Sequence, residues 1–316
     1  MIKLIQFNRN SLEQLRLLND KNGEQITILP GFGSSLNELV LSKKSKLYSL
    51  LDGNPSKKEI VGDKIYKGAR LIPFPNRVAD GKYEFEGSVF QLACNEKGLN
   101  NALHGFLFDK EFTIENVEES ESRAKVELVY DYSGNITGYP FPFKAKIIYS
   151  LSEKDGFTCS TMVKNTGDSR MPFGDGFHPF FTFHSKVDDL WLKLPVDQKI
   201  IINEQMVPTG ERIDYKNFHK LSPIGLSEFD SCFSVQSGEQ ILSTELYNPG
   251  SEATIRLWQE TGPDKYNYLQ IYIPPHRNSI AIEPVTSNVN AFNNKEGLIV
   301  LEQDQHFEAK YGIQLV

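Results

Sequence analysis

Apolar and polar residues alternate with a period of two along most of this chain. The alternation is cleanest at the end, where Phe307, Ala309, Tyr311, Ile313 and Leu315 interleave with Glu308, Lys310, Gly312 and Gln314. A strand with one buried face reads this way. Residues 124–132 are β-branched and alternate similarly. Residues 144–151 and 157–163, joined by Lys154-Asp155-Gly156, predict a hairpin, and residues 82–85 and 88–92, joined by Glu86-Gly87, predict another. Residues 25–29 and 38–42 are shorter strand segments around a glycine-rich turn. Helical periodicity is weak. Residues 11–18 fit a short amphipathic or strand-flanking helix, and residues 38–51 have room for a second.

No helix recurs between strands, which disfavours a parallel βαβ sheet. Many short strands with turn residues at regular intervals predict a mainly β fold, a large antiparallel β-sandwich with few short helices. No linker rich in Pro, Gly or Ser divides the 316 residues, and no internal repeat is evident, so a single domain over 1–316 is expected.

Charge and cysteine usage narrow the function classes. Lys and Arg total 34 against 41 Asp and Glu, a net charge of −7, with no long basic run. This argues against nucleic acid and anionic membranes as partners. The first residues, MIKLIQFNRNSLEQL, are too polar for a signal peptide, and no apolar run reaches membrane-spanning length. Cys94, Cys159 and Cys232 are far apart, without CxxC spacing. Buried free thiols in a reducing compartment, hence a cytoplasmic location, are the expectation.

Candidate chemistry concentrates in a few segments. In Met171 to Phe183, MPFGDGFHPFFTF, His178 lies between phenylalanines that limit water, and Pro179 fixes the backbone after it. It is either a core histidine satisfied by one backbone bond or an acid–base group. Glu283 follows Ile280-Ala-Ile282 and precedes Pro284, which keeps it extended, on the face of Ala281. It is either a solvated strand end or a general base in a partly dry pocket. His104, before Gly105, reads as an accessible loop histidine. Arg77 follows Pro73-Phe-Pro75-Asn76, a rigid loop, and either clamps substrate oxygens or pairs with an acid such as Asp80. Asp230 and Gln270 sit inside apolar strands, where a polar side chain is either structurally paired or aimed at a ligand.

Metal binding competes for these residues, but no HxH, HxxxH or HExxH spacing occurs. His178 and His184, on one strand face, would lie about 20 Å apart, too far to share an ion. Neither a GxSxG motif nor a glycine-rich phosphate loop is present.

From about Phe74 to the C-terminus the chain resembles the aldose 1-epimerase (galactose mutarotase) family. The matching pieces run in order: Pro75-Asn-Arg-Val-Ala-Asp-Gly81, Asn101-Ala-Leu-His-Gly105, Gly138-Tyr-Pro140, Gly176-Phe-His-Pro-Phe-Phe181, Phe229-Asp-Ser-Cys-Phe233, Leu269-Gln-Ile-Tyr272, and Ile282-Glu-Pro284 with Asn290-Ala-Phe-Asn293. The first seventy residues match only in being strand-rich. Two departures mark a divergent branch. Better-known members carry an Asn-His pair where Gly174-Asp175-Gly176-Phe177 leads into His178, and they often have more glycine after the first histidine.

The resemblance implies a galactose mutarotase-like supersandwich with an open sugar cleft that interconverts the α and β anomers of a free aldohexose. By motif, Glu283 corresponds to the general base and His178 to the general acid. Asn76, Arg77, His104, Asp230 and Gln270 correspond to substrate-binding residues. The chemistry needs one acid and one base, and no metal or redox cofactor. A carboxylate raised toward neutrality and a histidine near its ordinary pKa suit it. His178 and Glu283 are expected on opposite sides of a sugar ring, with Phe177, Phe180 or Phe181 as aromatic walls. Gly174-Asp175-Gly176 is read as a turn. The partner is a small-molecule sugar, and the protein is a monomer or homodimer. The alternatives are a hexose-6-phosphate 1-epimerase, with extra Arg or Lys such as Arg70, Arg256 or Arg277 near the cleft, and a non-catalytic carbohydrate-binding protein on the same fold.

Overall fold

The computed structural model describes residues 1–62 and 65–316. Three large sheets carry the fold, and every paired strand in them is antiparallel. Strands Ile2–Arg9, Leu12–Asn19, Gln25–Leu29, Ser35–Lys43 and Lys46–Ser49 form a five-stranded meander. A nine-stranded sheet holds the two predicted long strands, Phe143–Ser152 and Gly156–Asn165, next to the last strand, His306–Leu315. A six-stranded sheet runs in the order Phe180–Phe181, Ile280–Val285, Tyr268–Tyr272, Asp230–Val235, Val196–Ile202 and Pro208–Asp214. Among the described residues the α-helices are two, Lys57–Gly62 and Ala291–Asn294, both short. No helix there is long and apolar enough to cross a membrane.

The period of two works as expected in the last strand. Phe307, Ala309, Tyr311 and Ile313 are all buried in the main core. That core also contains Leu269, Ile271, Ile280 and Ile282 of the six-stranded sheet, so the two large sheets share one apolar interior. Phe177 stacks on Tyr311 and Phe173 packs on Phe307 across it. The result is the β-sandwich that the alternation predicts.

The helices expected over residues 11–18 and 38–51 are strands. Leu12, Leu15 and Leu18 imitate a helical stripe. However, Asn10 and Ser11 both adopt left-handed φ, 52° and 62°, and close a two-residue hairpin onto Ile2–Arg9. Lys44 and Ser45, at 49° and 61°, do the same between Ser35–Lys43 and Lys46–Ser49. In each case the turn, backed by the neighbouring strand, outweighs a weak periodicity.

Gly174-Asp175-Gly176 is not a turn. The segment is extended, with Gly176 bridged to Val285 and Phe177 to Arg70. Its glycines allow close packing. A Cβ on Gly174 would stand 2.9 Å from Pro75 Cδ, and one on Gly176 2.9 Å from both Pro75 Cβ and Val285 Cγ1. Of the cysteines, which are all free, Cys159 and Cys232 are buried and Cys94 is partly exposed, short of the burial expected for it.

Candidate active site

The strands of the six-stranded sheet have a core face and an outer face, and alternation decides which side chains reach each. With Ile280 and Ile282 turned to the core, Ala281 and Glu283 take the other face. Gln270 stands directly across from Glu283 on the neighbouring strand, and Tyr272, two residues on, shares its side. Asp230 pairs with Tyr272 from the next strand. Register alone therefore gathers Asp230, Gln270, Tyr272 and Glu283 on one patch. A small apolar cluster of Ile200, Cys232, Tyr268, Val285 and Val289 supports its flank.

Loops bring the remaining groups over this patch. The left-handed residues Asn76 (φ 56°) and His104 (φ 64°) lie at adjoining ends of paired strands Arg77–Ala79 and Asn101–Leu103. The His104 N–H donates to Asn76 O at 2.8 Å, and the Asn76 N–H donates to His104 Nδ1 at 3.2 Å. That bond fixes the neutral tautomer with the proton on Nε2. Gly105, at φ +67°, makes the approach possible, because a Cβ there would fall 2.1 Å from Ile72 O. His104 is thus not the accessible loop residue expected. It is 7 % exposed, with Tyr66 edge-on at 4.7 Å and His178 at 5.2 Å between ring centroids.

The structure brings all the sequence-predicted site residues together around a cleft of about 170 Å³: Asn76, Arg77, His104, His178, Asp230, Gln270 and Glu283. His178 Nε2 lies 3.4 Å from Glu283 Oε1. The two groups are side by side rather than across a ring. Phe180 stacks on the His178 imidazole at 5.1 Å, while Phe177 and Phe181 belong to the core. The aromatic walls are Tyr66 and Tyr272 instead. A hydrogen-bonded chain crosses the floor: Asn76 Nδ2 donates to Gln270 Oε1 at 3.4 Å, and Gln270 Nε2 to Asp230 Oδ1 at 3.0 Å. A larger hollow of about 730 Å³, between residues 234 and 268, contains none of these residues.

Arg77 pairs with Glu96 rather than Asp80, through Nε at 2.9 Å and Nη2 at 2.8 Å. Glu96 also accepts from Asn101 Nδ2 at 2.8 Å. Burial opposes the Glu96 charge, but the bonds from Arg77 and Asn101 hold its carboxyl below the usual range. Glu96 lines the cleft and was missed by sequence reasoning, since a glutamate in the polar run Asn95-Glu96-Lys97 carries no local signal. Tyr272 was missed as well, although its place two residues after Gln270, on the same strand face, is a signal that finds it.

Burial controls the electrostatics. It lifts the Glu283 carboxyl well above its ordinary value, with the Asp230 charge adding to the rise and Arg77 opposing it. It lowers the His178 imidazole to about 3, far from the ordinary histidine value expected for it. His104 is also held well down, by burial first and then by His178 and Arg77. Between the pH at which His178 takes up a proton and the raised pH at which Glu283 loses its own, the pair therefore carries one proton in total, resting on Glu283. Such a pair can take a proton from one oxygen and give one to a neighbouring oxygen.

The arginines considered as phosphate ligands lie elsewhere. Arg70 is completely buried against Asp175, Arg256 pairs with Glu245, and Arg277 with Asp188. Among the described residues, no three His, Cys, Asp or Glu side chains gather as a metal site.

The sequence profile described as aldose 1-epimerase matches residues 14–314, so the likeness starts well before Phe74 and includes most of the N-terminal sheet. An uncharacterised Escherichia coli protein, YihR, is 28% identical over 242 residues, 74% of each chain. A maltose epimerase of Levilactobacillus brevis is 24% identical over 202 residues, 62% of this chain and 58% of that one. Among solved structures, a galactose mutarotase-like protein of Clostridium acetobutylicum superposes with TM-score 0.89 at 21% identity, covering 100% of this chain and 98% of that one. A galactose 1-epimerase of Lactobacillus acidophilus superposes with TM-score 0.80 at 17% identity, with 100% and 98% covered. Profile and fold agree along nearly the whole length, and the chain belongs to the aldose 1-epimerase family.

Proposed function

We propose that this protein is a cofactor-independent aldose 1-epimerase acting on neutral aldohexoses, with His178 and Glu283 as its acid–base pair. The observation that carries the reading is their 3.4 Å contact within a polar cleft. The anomeric hydroxyl oxygen and the ring oxygen share one carbon, so two adjacent groups on one side of the sugar serve both. One group accepts the O1 proton. The O1–C1 bond becomes a carbonyl, the C1–O5 bond breaks, and its electron pair on O5 takes a proton from the other group. Rotation about C1–C2 and reclosure with the roles exchanged give the second anomer. By motif Glu283 is the base and His178 the acid; because the pair's one proton rests on Glu283, it first passes to His178 across their 3.4 Å contact, and the reverse step returns it. Each such transfer contributes roughly 10²–10⁴-fold.

His104 Nε2–H, Arg77, Asn76, Asp230 and Gln270 are the substrate-binding set. Donors and acceptors alternate along it, as sugar hydroxyls require. His104 and Arg77 also stabilise charge developing at the ring oxygen. A neutral sugar is favoured because the guanidinium of Arg77 is already engaged by Glu96, while the Asp230 carboxyl also lines the cleft. One relative is a maltose epimerase, so maltose, a reducing disaccharide, belongs in the substrate panel. An acid–base pair, which mere sugar binding does not need, favours an enzyme over a lectin. Free thiols fit a reducing, cytoplasmic setting.

The test is a polarimetric or NMR panel of freshly dissolved α-glucose, α-galactose, maltose and the hexose 6-phosphates, with and without protein. Faster anomer exchange for a neutral sugar is expected. No acceleration with any of them contradicts the reading.

A further inference from the structure

The largest charged group in the interior is one the proposed reaction does not use. Arg70 and Asp175 are both completely buried. Arg70 Nη2 lies 3.0 Å from each Asp175 oxygen and also reaches the Thr161 hydroxyl. Arg70 Nη1 donates to Tyr311 Oη at 3.2 Å, and Tyr266 Oη donates to Asp175 Oδ2 at 2.6 Å. The guanidinium rests over the Phe177 and Tyr311 rings. Apolar residues of similar volume stabilise an interior as well as a buried ion pair does, or better. What a pair of this kind adds is a fixed direction and distance.

Its place in the backbone shows which distance that is. Asp175 lies three residues before His178, on a strip held from both sides. On one side, Leu71 N–H donates to Gly176 O, His178 N–H to Ala69 O, and Gly68 N–H to His178 O, at 2.9, 3.1 and 2.9 Å. On the other, Phe177 N–H donates to Pro284 O at 3.2 Å and Thr286 N–H to Asp175 O at 2.9 Å, while Asp175 N–H donates to Thr286 Oγ1 at 3.0 Å. The Arg70 strip, the His178 strip and the strand of Glu283 are therefore fastened to one another beneath the cleft. The ion pair joins the first two, and Tyr266 adds a bond from the loop entering the Gln270 strand.

We propose that Arg70 and Asp175 are positioning residues that set the spacing of His178 and Glu283. This rests on the acid–base reading of that pair. It gives Gly174-Asp175-Gly176 a purpose: the glycines let the strip approach Pro75 and Val285, and the aspartate locks its register.

The experiment compares the double variant Arg70→Met/Asp175→Leu, the single variant Tyr266→Phe and the control Glu283→Gln, by polarimetry with α-glucose and α-galactose alongside thermal unfolding. Positioning predicts a folded double variant whose kcat falls about 10²-fold with KM within about twofold, the size expected when reacting groups are displaced by an ångström. Its pH–rate profile shifts as well. Tyr266→Phe, which removes one bond only, shows a severalfold loss in kcat with KM kept, and it decides the matter if the double variant does not fold. A double variant with parental kcat and pH profile per folded molecule, whatever its melting temperature, overturns the inference. So does Tyr266→Phe with parental kcat. If Glu283→Gln turns over normally, the acid–base reading itself has failed, which is a separate result.

Discussion

His178 Nε2 stands 3.4 Å from Glu283 Oε1, and both side chains are at least nine-tenths buried. Burial drives their proton affinities in opposite directions. With one proton between them, the pair is competent from the pH at which His178 takes a second proton up to the pH at which Glu283 loses the first.

That window sets the pH profile. With ordinary values of 6.5 and 4.5, the pair would hold one proton only between those limits. With His178 lowered to about 3, the lower limit falls well below 4.5, and the upper limit becomes the raised value of Glu283. We expect kcat/KM to stay on its plateau below pH 4.5, down toward the His178 value, as long as the protein remains folded. A fall in kcat/KM that is already half complete at pH 4.5 in a pH–rate series on folded protein contradicts these environments.

His178→Asn keeps a polar side chain of similar bulk but cannot exchange the proton. Turnover is expected to drop by several orders of magnitude while KM for the sugar, set by Arg77, His104, Asp230 and Gln270, changes little. A large rise in KM with kcat kept would assign His178 to binding only.

Glu96 holds Arg77 in the cleft through a two-point ion pair. Glu96→Gln leaves one good acceptor and frees the guanidinium to move. We expect kcat/KM to fall roughly tenfold, about 1.4 kcal/mol, mostly through KM. The same variant should narrow the preference for neutral sugars over hexose 6-phosphates, measured as the ratio of their kcat/KM values, since it removes a negative charge from the cleft wall.

Gly105→Ala tests the support beneath His104. The residue has φ +67° and no room for a Cβ against Ile72 O. A stability loss of about 2 kcal/mol or more in urea unfolding, accompanied by weaker sugar binding, is expected. Unchanged stability and binding would show that the loop adjusts freely.

Much of this arrangement is legible in the amino-acid sequence. The alternation at Phe307–Leu315 has one solution, and Pro284 keeps Glu283 extended. Gln270 and Glu283 stand out as polar residues in short apolar strands, but the register that makes them neighbours belongs to the sheet. The two supposed helices show where local pattern fails: a leucine stripe is compatible with either period, and the Asn10-Ser11 turn decides between them. The environment of His178 is harder to read. Neighbouring phenylalanines indicate dryness, but Phe177 and Phe181 turn to the core and only Phe180 stacks on the ring. Glu96 and the Arg70–Asp175 pair depend on contacts spanning 19 and 105 residues, which no local motif encodes.

The most direct measurement is anomer exchange by Glu283→Gln, followed by polarimetry or NMR from freshly dissolved α-glucose or α-galactose beside the parent protein. Glutamine fills the same space and still hydrogen-bonds, yet neither takes nor gives the proton. With Glu283 as an acid–base group, this variant loses nearly all acceleration over the spontaneous rate while remaining folded and still binding sugar. Exchange as fast as the parent's would contradict it.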